Sequence, residues 1–436
     1  MREMKDSGVP WIGNIPVDWN VSIVLSEFEE VKNINKGMLE KNLLSLSYGN
    51  IVRKEINSNN GLLPNSFETY NVIPQNSIVL RLTDLQNDKR SLRSAICNEQ
   101  GIITSAYTTI QLKSNIENHP RYMNYLFRCY DDCKVFYGLG NGVRQSINYS
   151  ELKRVAILKP SYNCQMQIAK YLDTKCTQID TIIAKEQSVI EKLQEYRQSI
   201  ITETVTKGLD STINMVASNV EWIDKIPSDW KITRFTKSFE FFKGLNIKKT
   251  DLADSGACVV SYGQVHAKNN NGYSLRDNLI RYVAENLIDE KSLLHEGDFV
   301  FADTSEDLEG VGNCIYIDSS NKVYAGYHTL VARCFDEHIC TKYFAFLFLT
   351  DIWRSQLRKN ANGTKVYSVT QKMFKTVSCL VPPIEEQLKI VAYLEQKCDA
   401  IDRVISQKLT IIDTLTEYKR SLIYEVVTGK KEVPHV

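Results

Sequence analysis

Trp11-Ile12-Gly13-Asn14-Ile15-Pro16-Val17-Asp18-Trp19 returns 211 positions later as Trp222-Ile223-Asp224-Lys225-Ile226-Pro227-Ser228-Asp229-Trp230. Further along, Tyr171-Leu172, Lys175-Cys176 and Ile179-Asp180 recur 222 positions on as Tyr393-Leu394, Lys397-Cys398 and Ile401-Asp402. Between these anchors the offset only grows. Ser47-Tyr48-Gly49-Asn50 matches Ser261-Tyr262-Gly263-Gln264 at 214, and Ser105-Ala106-Tyr107-Thr108-Thr109 matches Ala325-Gly326-Tyr327-His328-Thr329 at 220. Tyr122, Leu126 and Phe127 match Tyr343, Leu347 and Phe348 at 221. Drift in one direction is what two copies of one fold give when the second carries a few insertions. The period is far longer than the roughly 20–50 residues of solenoid or propeller units. Duplication makes a pseudo-two-fold molecule, a shape suited to targets with two sites at fixed separation.

The 436 residues are enough for two to four domains, with 43% hydrophobic and 24% charged residues, ordinary for a globular protein. The N-terminus lacks the basic-then-apolar pattern of a secretion signal, and the longest apolar run, Tyr343 to Leu349, is far short of the ~20 residues that span a bilayer. A soluble, cytoplasmic protein with no membrane partner is expected. Eleven cysteines among apolar neighbours, as in Ala257-Cys258-Val259, read as reduced buried thiols. Cys129 and Cys133 lack the second pair or nearby histidines that a zinc site requires, so no metal site is expected. A net charge of +1 argues against wholesale coating of a nucleic acid but leaves room for a local basic face among 53 Lys and Arg.

Each half has three parts: the Trp-Ile…Asp-Trp segment, about 140 residues of short β-rich runs such as Ser77-Ile78-Val79-Leu80 and Asp298-Phe299-Val300-Phe301, and a long helix. Pro160 and Pro382-Pro383 announce the helices, and no Pro or Gly interrupts them until Gly208 and Gly429. Each helix has a narrow apolar stripe at three- and four-residue steps. The first carries Ile179, Ile182, Ile183, Val189, Ile190, Leu193, Ile200 and Ile201; the second carries Ile401, Val404, Ile405, Ile411, Ile412, Leu415, Leu422 and Ile423. So narrow a stripe on so long a helix needs a partner helix, and each copy is the obvious partner of the other, antiparallel if the globular parts lie at opposite ends. A helical hairpin packed on its own domains is the alternative. Expected bounds are a first domain at 1–160, a helix at 161–207, a polar linker at 208–219, a second domain at 220–382 and a helix at 383–430.

A family resemblance rests on the residues the two halves share. Val9-Pro10-Trp11-Ile12-Gly13-Asn14-Ile15-Pro16 with Asp18-Trp19, and Pro382-Pro383-Ile384-Glu385-Glu386-Gln387 leading to Tyr393-Leu394, resemble the DNA specificity subunits of type I restriction–modification systems. So do Glu195-Tyr196-Arg197-Gln198-Ser199-Ile200-Ile201 before Val205-Thr206-Lys207-Gly208, and their second copy from Glu417 to Lys430. One departure is Ser161-Tyr162-Asn163-Cys164-Gln165, where the family favours Pro-x-x-Glu-Gln. The resemblance implies an α+β architecture: two similar mixed α/β target-recognition domains joined by a long antiparallel two-helix coiled coil. Each domain would read one half of a bipartite, asymmetric site in double-stranded DNA, with the helices setting the spacer. It also implies docking of two methyltransferase subunits, with restriction subunits joining through them, and no catalytic site, metal or cofactor in this chain. Ile183, Ile190, Leu193, Tyr196, Ile200, Ile405, Ile412, Leu415, Tyr418 and Leu422 are the candidates for helix pairing or partner docking.

The search for chemistry agrees. Phe136-Tyr137-Gly138-Leu139-Gly140 imitates the glycine turn of S-adenosylmethionine-dependent methyltransferases, but it follows a helix-like stretch instead of a strand, and no Asn-Pro-Pro-Tyr-type tetrapeptide follows. Glu151-Leu152-Lys153 poses as part of a nuclease site, yet copy two has Met373-Phe374-Lys375 there, without the carboxylate. No phosphate-binding Gly-x4-Gly-Lys loop occurs. A self-contained methyltransferase or nuclease, and a coiled-coil scaffold that binds no DNA, are the competing readings.

Two repeated segments are candidates for DNA contact. Tyr48-Gly49-Asn50, followed by Arg53, matches Tyr262-Gly263-Gln264, followed by His266, one frame with different amides, and Asn or Gln pairs with adenine as Arg does with guanine. Asn141, Gly142 and Arg144 match Asn362, Gly363 and Lys365 in Gly/Asn-rich loops whose amides and cation suit a phosphate. The plain alternative is a pair of ordinary turns. Arg81, Arg90, Arg93, Arg276, Ser305 and His328 complete the set. Trp11, Trp19, Trp222 and Trp230 read as pins holding the repeated segment to its domain.

Overall fold

The computed structural model describes residues 2–56, 64, 66–85, 92–114, 117–139, 146–361, 363 and 365–434. The chain forms two compact units, Met1–Gln187 with Leu409–Val436, and Ser188–Lys408. The first long helix runs Tyr162–Lys207 and the second Ile384–Val427. The first leaves the first unit and the second enters it, so each unit holds two helix segments of opposite sense. The expected division into domains and separate helices therefore changes. The helix ends carry apolar residues that complete each globular core, so each unit takes part of both helices. The expected linker also shortens, because Met215–Val220 pairs as an antiparallel strand with Ile223–Pro227, as Met4–Asp6 does with Asn14–Pro16.

Each unit is built on a four-stranded antiparallel sheet of one design. In the first unit its order is Phe28–Glu30, Thr108–Leu112, Ile78–Leu80, Ser94–Ile96; in the second it is Phe239–Lys243, Thr329–Cys334, Phe299–Ala302, Cys314–Tyr316. The short unbroken apolar runs Ile78-Val79-Leu80 and Phe299-Val300-Phe301 are buried throughout, as such runs are in the middle of a core.

The repeated polar residues are mounting hardware. Gln165 is buried at the start of the first long helix; its Oε1 accepts the His119 N–H at 2.8 Å and its Nε2 donates to Asn118 Oδ1 and to the Pro160 carbonyl. Gln387 repeats this with Cys340 N–H and the Pro382 carbonyl, so the departure at residues 161–164 leaves the rivet intact. At the far ends, Tyr122 Oη donates to the Val427 carbonyl at 3.2 Å and Tyr343 Oη to the Val205 carbonyl at 3.1 Å. These carbonyls belong to last turns with no helical partner of their own. Gly429 and Gly208 then stop the helices at φ of 73° and 79°, where L side chains are strained. Trp19 and Trp230, both buried, close over those glycines, and Trp230 Nε1 donates to Glu386 at 2.8 Å. The tryptophans of the Asp-Trp pairs are pins, as expected.

One buried clasp is not repeated. Glu27 accepts from Ser22 Oγ, Asn118 Nδ2 and Lys159 Nζ at 2.7–3.0 Å. Burial alone would raise its carboxyl, but these donors and the Lys159 charge outweigh burial and hold it below the ordinary value. At the matching position, Ser238 donates its hydroxyl to Asp336.

Candidate nucleic-acid interface

In the second unit, backbone geometry gathers a cleft of about 770 Å³ at one end of the central sheet, with an apolar floor that includes Leu245, Leu330 and Val369. The strand Phe239–Lys243 runs out into Gly244-Leu245-Asn246, and the turn by which the chain passes from Val323–Ala325 in one sheet to Thr329–Cys334 in another brings His328 beside it. His328 has φ of 54°, a strained conformation for a residue with a side chain, and its ring is exposed. Its Nδ1–H donates to Asp303 Oδ1 at 3.1 Å, while Nε2 meets no partner among the described residues. Asp303 is itself fixed: its N–H bonds the His328 carbonyl and its carbonyl accepts the Val369 N–H at 2.7 Å. Lys243, Asn246, Gln371 and Lys372, all exposed, complete the rim. Two amides, an imidazole and a carboxylate between two lysines supply donors and acceptors for base edges, with cations for phosphates. A neighbouring hollow of about 490 Å³ is lined by Tyr262, His266, Ser305, Glu306, Asp307 and Glu309, an acidic wall suited to amino groups.

The first unit presents something different. Leu44–Ser47 and Asn50–Arg53 form a hairpin whose two-residue turn is Tyr48-Gly49, with φ of 46° and 74°. Positive φ at both positions matches the type I′ turn that fits strand twist. Tyr48 at its tip is 84% exposed, and Asn50 beside it is exposed as well. The tip is anchored from below, because Arg128 donates to the Gly49 carbonyl at 2.5 Å and any side chain at Gly49 would collide with Arg128 and Leu92. Arg53 pairs with Glu99 along the stem, which raises the guanidinium above its ordinary value.

The shared Tyr-Gly-amide frame does not survive in three dimensions. Tyr262–Val265 is a helical turn, and Gln264 Oε1 closes it by accepting the Ser261 N–H at 3.1 Å. Other sequence candidates are also committed elsewhere. Arg93 is fully buried and its guanidinium donates to the carbonyls of Arg81, Thr83 and Asp84 and to Tyr137, so it shapes a loop. His266 donates from Nε2 to the Thr304 carbonyl at 2.8 Å and accepts from Asn313 at Nδ1. Arg276 is bound to Asp402 of the second long helix at 2.7 Å, and buried Ser305 donates within its own loop to Asp307 O. Lys365 and Gly363 are exposed, and Arg81 contributes backbone hydrogen bonds to Arg93. Arg90, Asn141, Gly142, Arg144 and Asn362 lie outside the described residues. Sequence reasoning missed Lys243, Asn246, Gln371 and Lys372; a polar run breaking off after Phe239-Glu240-Phe241-Phe242 was the available signal.

Along the long helices, Ile183, Leu193, Ile200, Ile405, Ile412 and Leu415 are half-buried, and Ile190 and Leu422 are buried. Within the first unit Asp180 pairs with Lys419 at 2.6 Å, and within the second Arg197 pairs with Asp402 at 2.6 Å, the same pair of repeat positions. Tyr196 and Tyr418 are turned outward instead, 56% and 49% exposed.

The sequence model for the type I restriction modification DNA specificity domain matches residues 16–192 and again 227–411. The chain belongs to that family. The protein assigned as the MjaX specificity subunit of a type I restriction enzyme in Methanocaldococcus jannaschii is 25% identical over 327 residues, covering 74% of this chain and 70% of that one. The MjaVIII specificity subunit of the same organism is 20% identical over 348 residues, covering 78% and 76%. A chain from a solved structure concerned with complex assembly and conformational transition of a type I R-M system superposes with a TM-score of 0.67 at 13% identity, covering 96% of this chain and 99% of that one. Two copies of the recognition domain on a shared fold make this chain the sequence-reading, non-catalytic subunit of its system. No described helix is long and apolar enough to cross a membrane.

Proposed function

We propose that the cleft around His328 reads one half of a bipartite DNA site and the Tyr48 hairpin reads the other. The observation behind this reading is a contrast. The two units repeat their main helix mountings, yet matching segments of the fold differ in shape: the Tyr48 hairpin in the first and, beside the His328 cleft, the Tyr262 helical turn in the second. A molecule that needs two different readings on one frame has that pattern. In the second unit, His328, Asn246 and Gln371 would face base edges while Lys243, Lys372 and Lys365 meet phosphates. In the first, Tyr48 and Asn50 would enter a groove together.

Partner docking falls to the outward faces of the helices. Each unit carries the same exposed set: Ile182, Ile411 and Tyr418 in the first, and Val404, Val189 and Tyr196 in the second. Two equivalent apolar patches suit two copies of one partner, an adenine methyltransferase subunit, through which restriction subunits would join. The paired helices would set the spacer between half-sites, and the complex would work in the cytoplasm, where eleven free cysteines stay reduced.

Co-expression with a cognate methyltransferase subunit in a methylation-free host, followed by genome-wide mapping of modified adenines, tests this directly. One bipartite motif with a fixed gap is expected. Exchange of residues 21–158 for another such domain should change one half-site alone; a change in both halves would end the modular reading. Matched deletion of turns from both helices should shorten the gap.

A further inference from the structure

A cavity of about 210 Å³ lies inside the second unit, away from the cleft described above, between the first long helix and the recognition fold. Its wall includes Arg197 from that helix, Arg354 from the helix Asp351–Arg358, and Asn271 and Gly272 from a tight loop. Among the residues that line it there is no aspartate or glutamate.

A donor census shows what the cavity lacks. Arg354 spends Nε on the Phe348 carbonyl at 2.9 Å, and its two Nη groups meet no acceptor among the described residues. Burial pulls this guanidinium below its ordinary value, and the nearest acid on its own helix, Asp351, is bound to Arg358 at 3.0 Å. Arg197 uses Nη1 on Asp402, but Asp402 also serves Arg276 at 2.7 Å and Tyr273 at 3.3 Å. Arg197 thus shares its one carboxylate with a second guanidinium and a tyrosine, and Arg354 bonds to no carboxylate among the described residues. The Asn271 carbonyl oxygen is taken by Tyr273 and Ser274 N–H groups, which leaves its amide nitrogen as a further donor. A buried charge needs a counter-charge or hydrogen bonds to offset its lost hydration. Water can supply hydrogen bonds here, since the space far exceeds the ~10–15 Å³ that admits one molecule, but it supplies no charge.

We propose that this cavity is a binding site for a small tetrahedral oxyanion, phosphate or sulfate, held between Arg354 and Arg197. Arginine forks match such oxygens in pairs. The bound anion would tie the recognition fold of this unit to the long helix, a role independent of DNA reading.

The test titrates inorganic phosphate into the full-length chain by isothermal calorimetry, with Arg354→Gln, Arg197→Gln and the exposed control Lys225→Gln in parallel. Saturable binding at one site is expected, weakened at least tenfold by either arginine change and unaltered by Lys225→Gln. Sulfate should displace the phosphate. Adenosine monophosphate separates the sources: tighter binding than phosphate assigns the cavity to a nucleotide's phosphate, equal or weaker binding to the free anion. Absence of saturable binding to the wild-type chain at 20 mM phosphate, a readout that needs no variant to fold, overturns the proposal and leaves a water-filled cavity. Equal loss in Lys225→Gln and Arg354→Gln also overturns it, because the binding is then diffuse surface charge.

Discussion

Gln165 and Gln387 stand in the same place and do the same thing; Asn50 and Gln264 stand in the same place and do not. The first pair is buried where a helix enters a core, and a buried amide must find partners at fixed positions. The second pair sits at an edge, where water satisfies whatever the backbone leaves open. One edge has become a hairpin tip and the other a helical turn, with little consequence for the core beneath. In this duplicated protein the buried amides at the helix mounts have stayed alike while the exposed amides at the edge have parted, although burial alone did not keep the Glu27 clasp, whose matching position is Ser238.

The contrast can be broken most forcefully at the tryptophans. Trp19→Ala and Trp230→Ala should each lower stability by about 3–5 kcal/mol, as large-to-small changes of buried aromatics do. Urea unfolding of both variants checks that the two costs agree; a near-neutral Trp230→Ala would show that the mounts differ after all. His328→Ala should leave unfolding unchanged and cost about 1–3 kcal/mol of discrimination at a single base pair, seen as relaxation of one half-site in methylation maps. Relaxation in both halves, or in neither, would remove the cleft from recognition.

Glu27→Gln should cost about 1–2 kcal/mol at neutral pH, because a buried acceptor of three bonds loses its charge. The carboxyl is held below its ordinary value in the folded chain, so the stability it adds is present above the unfolded-state value, near pH 4–4.5. That stability is lost as pH falls through the lower folded value. The deficit of Glu27→Gln should therefore shrink in acid, whereas Ser238→Ala, at the matching place in the second unit, should cost less than Glu27→Gln at neutral pH, since one hydrogen bond is lost there instead of a charged three-bond clasp. Smallest of all, Gln264→Ala should cost about 0.5–1 kcal/mol for its lost backbone bond, and Asn50→Ala within about 0.5 kcal/mol of nothing. Thermal melts of the two variants side by side would separate an amide that closes a turn from one left for a ligand.

The residues that could be read from the sequence are the ones whose surroundings are also repeated. The spacing of Trp19 from Gly429 is invisible in one dimension, but its repetition at Trp230 and Gly208 marks both as structural. The prolines and the uninterrupted helices placed the ends of Tyr162–Lys207 and Ile384–Val427 to within three residues. The site was less legible for a physical reason. A guanidinium looks the same in sequence whether it faces solvent, as Arg53 largely does, or is buried under four oxygens, as Arg93 is. The cleft also draws on residues from Lys243 to Lys372, and no local pattern ties those together.

The Tyr122 bond to the Val427 carbonyl closes a loop of about three hundred residues inside a single unit. During synthesis the first unit is therefore unfinished long after its own sheet has been made. Its apolar seat, formed by Trp19, Leu172, Cys176 and Ile179, waits for Leu422, Ile423, Val426 and Val427 to emerge. At roughly 5–20 residues per second, the ~220 residues that intervene take on the order of ten to forty-five seconds. For that interval the nascent chain exposes a helix-shaped groove that a chaperone, or the same segment of another copy, can occupy. Assembly of the first unit is thus timed by the second long helix, and swapped dimers are the misfolded product to look for when translation stalls.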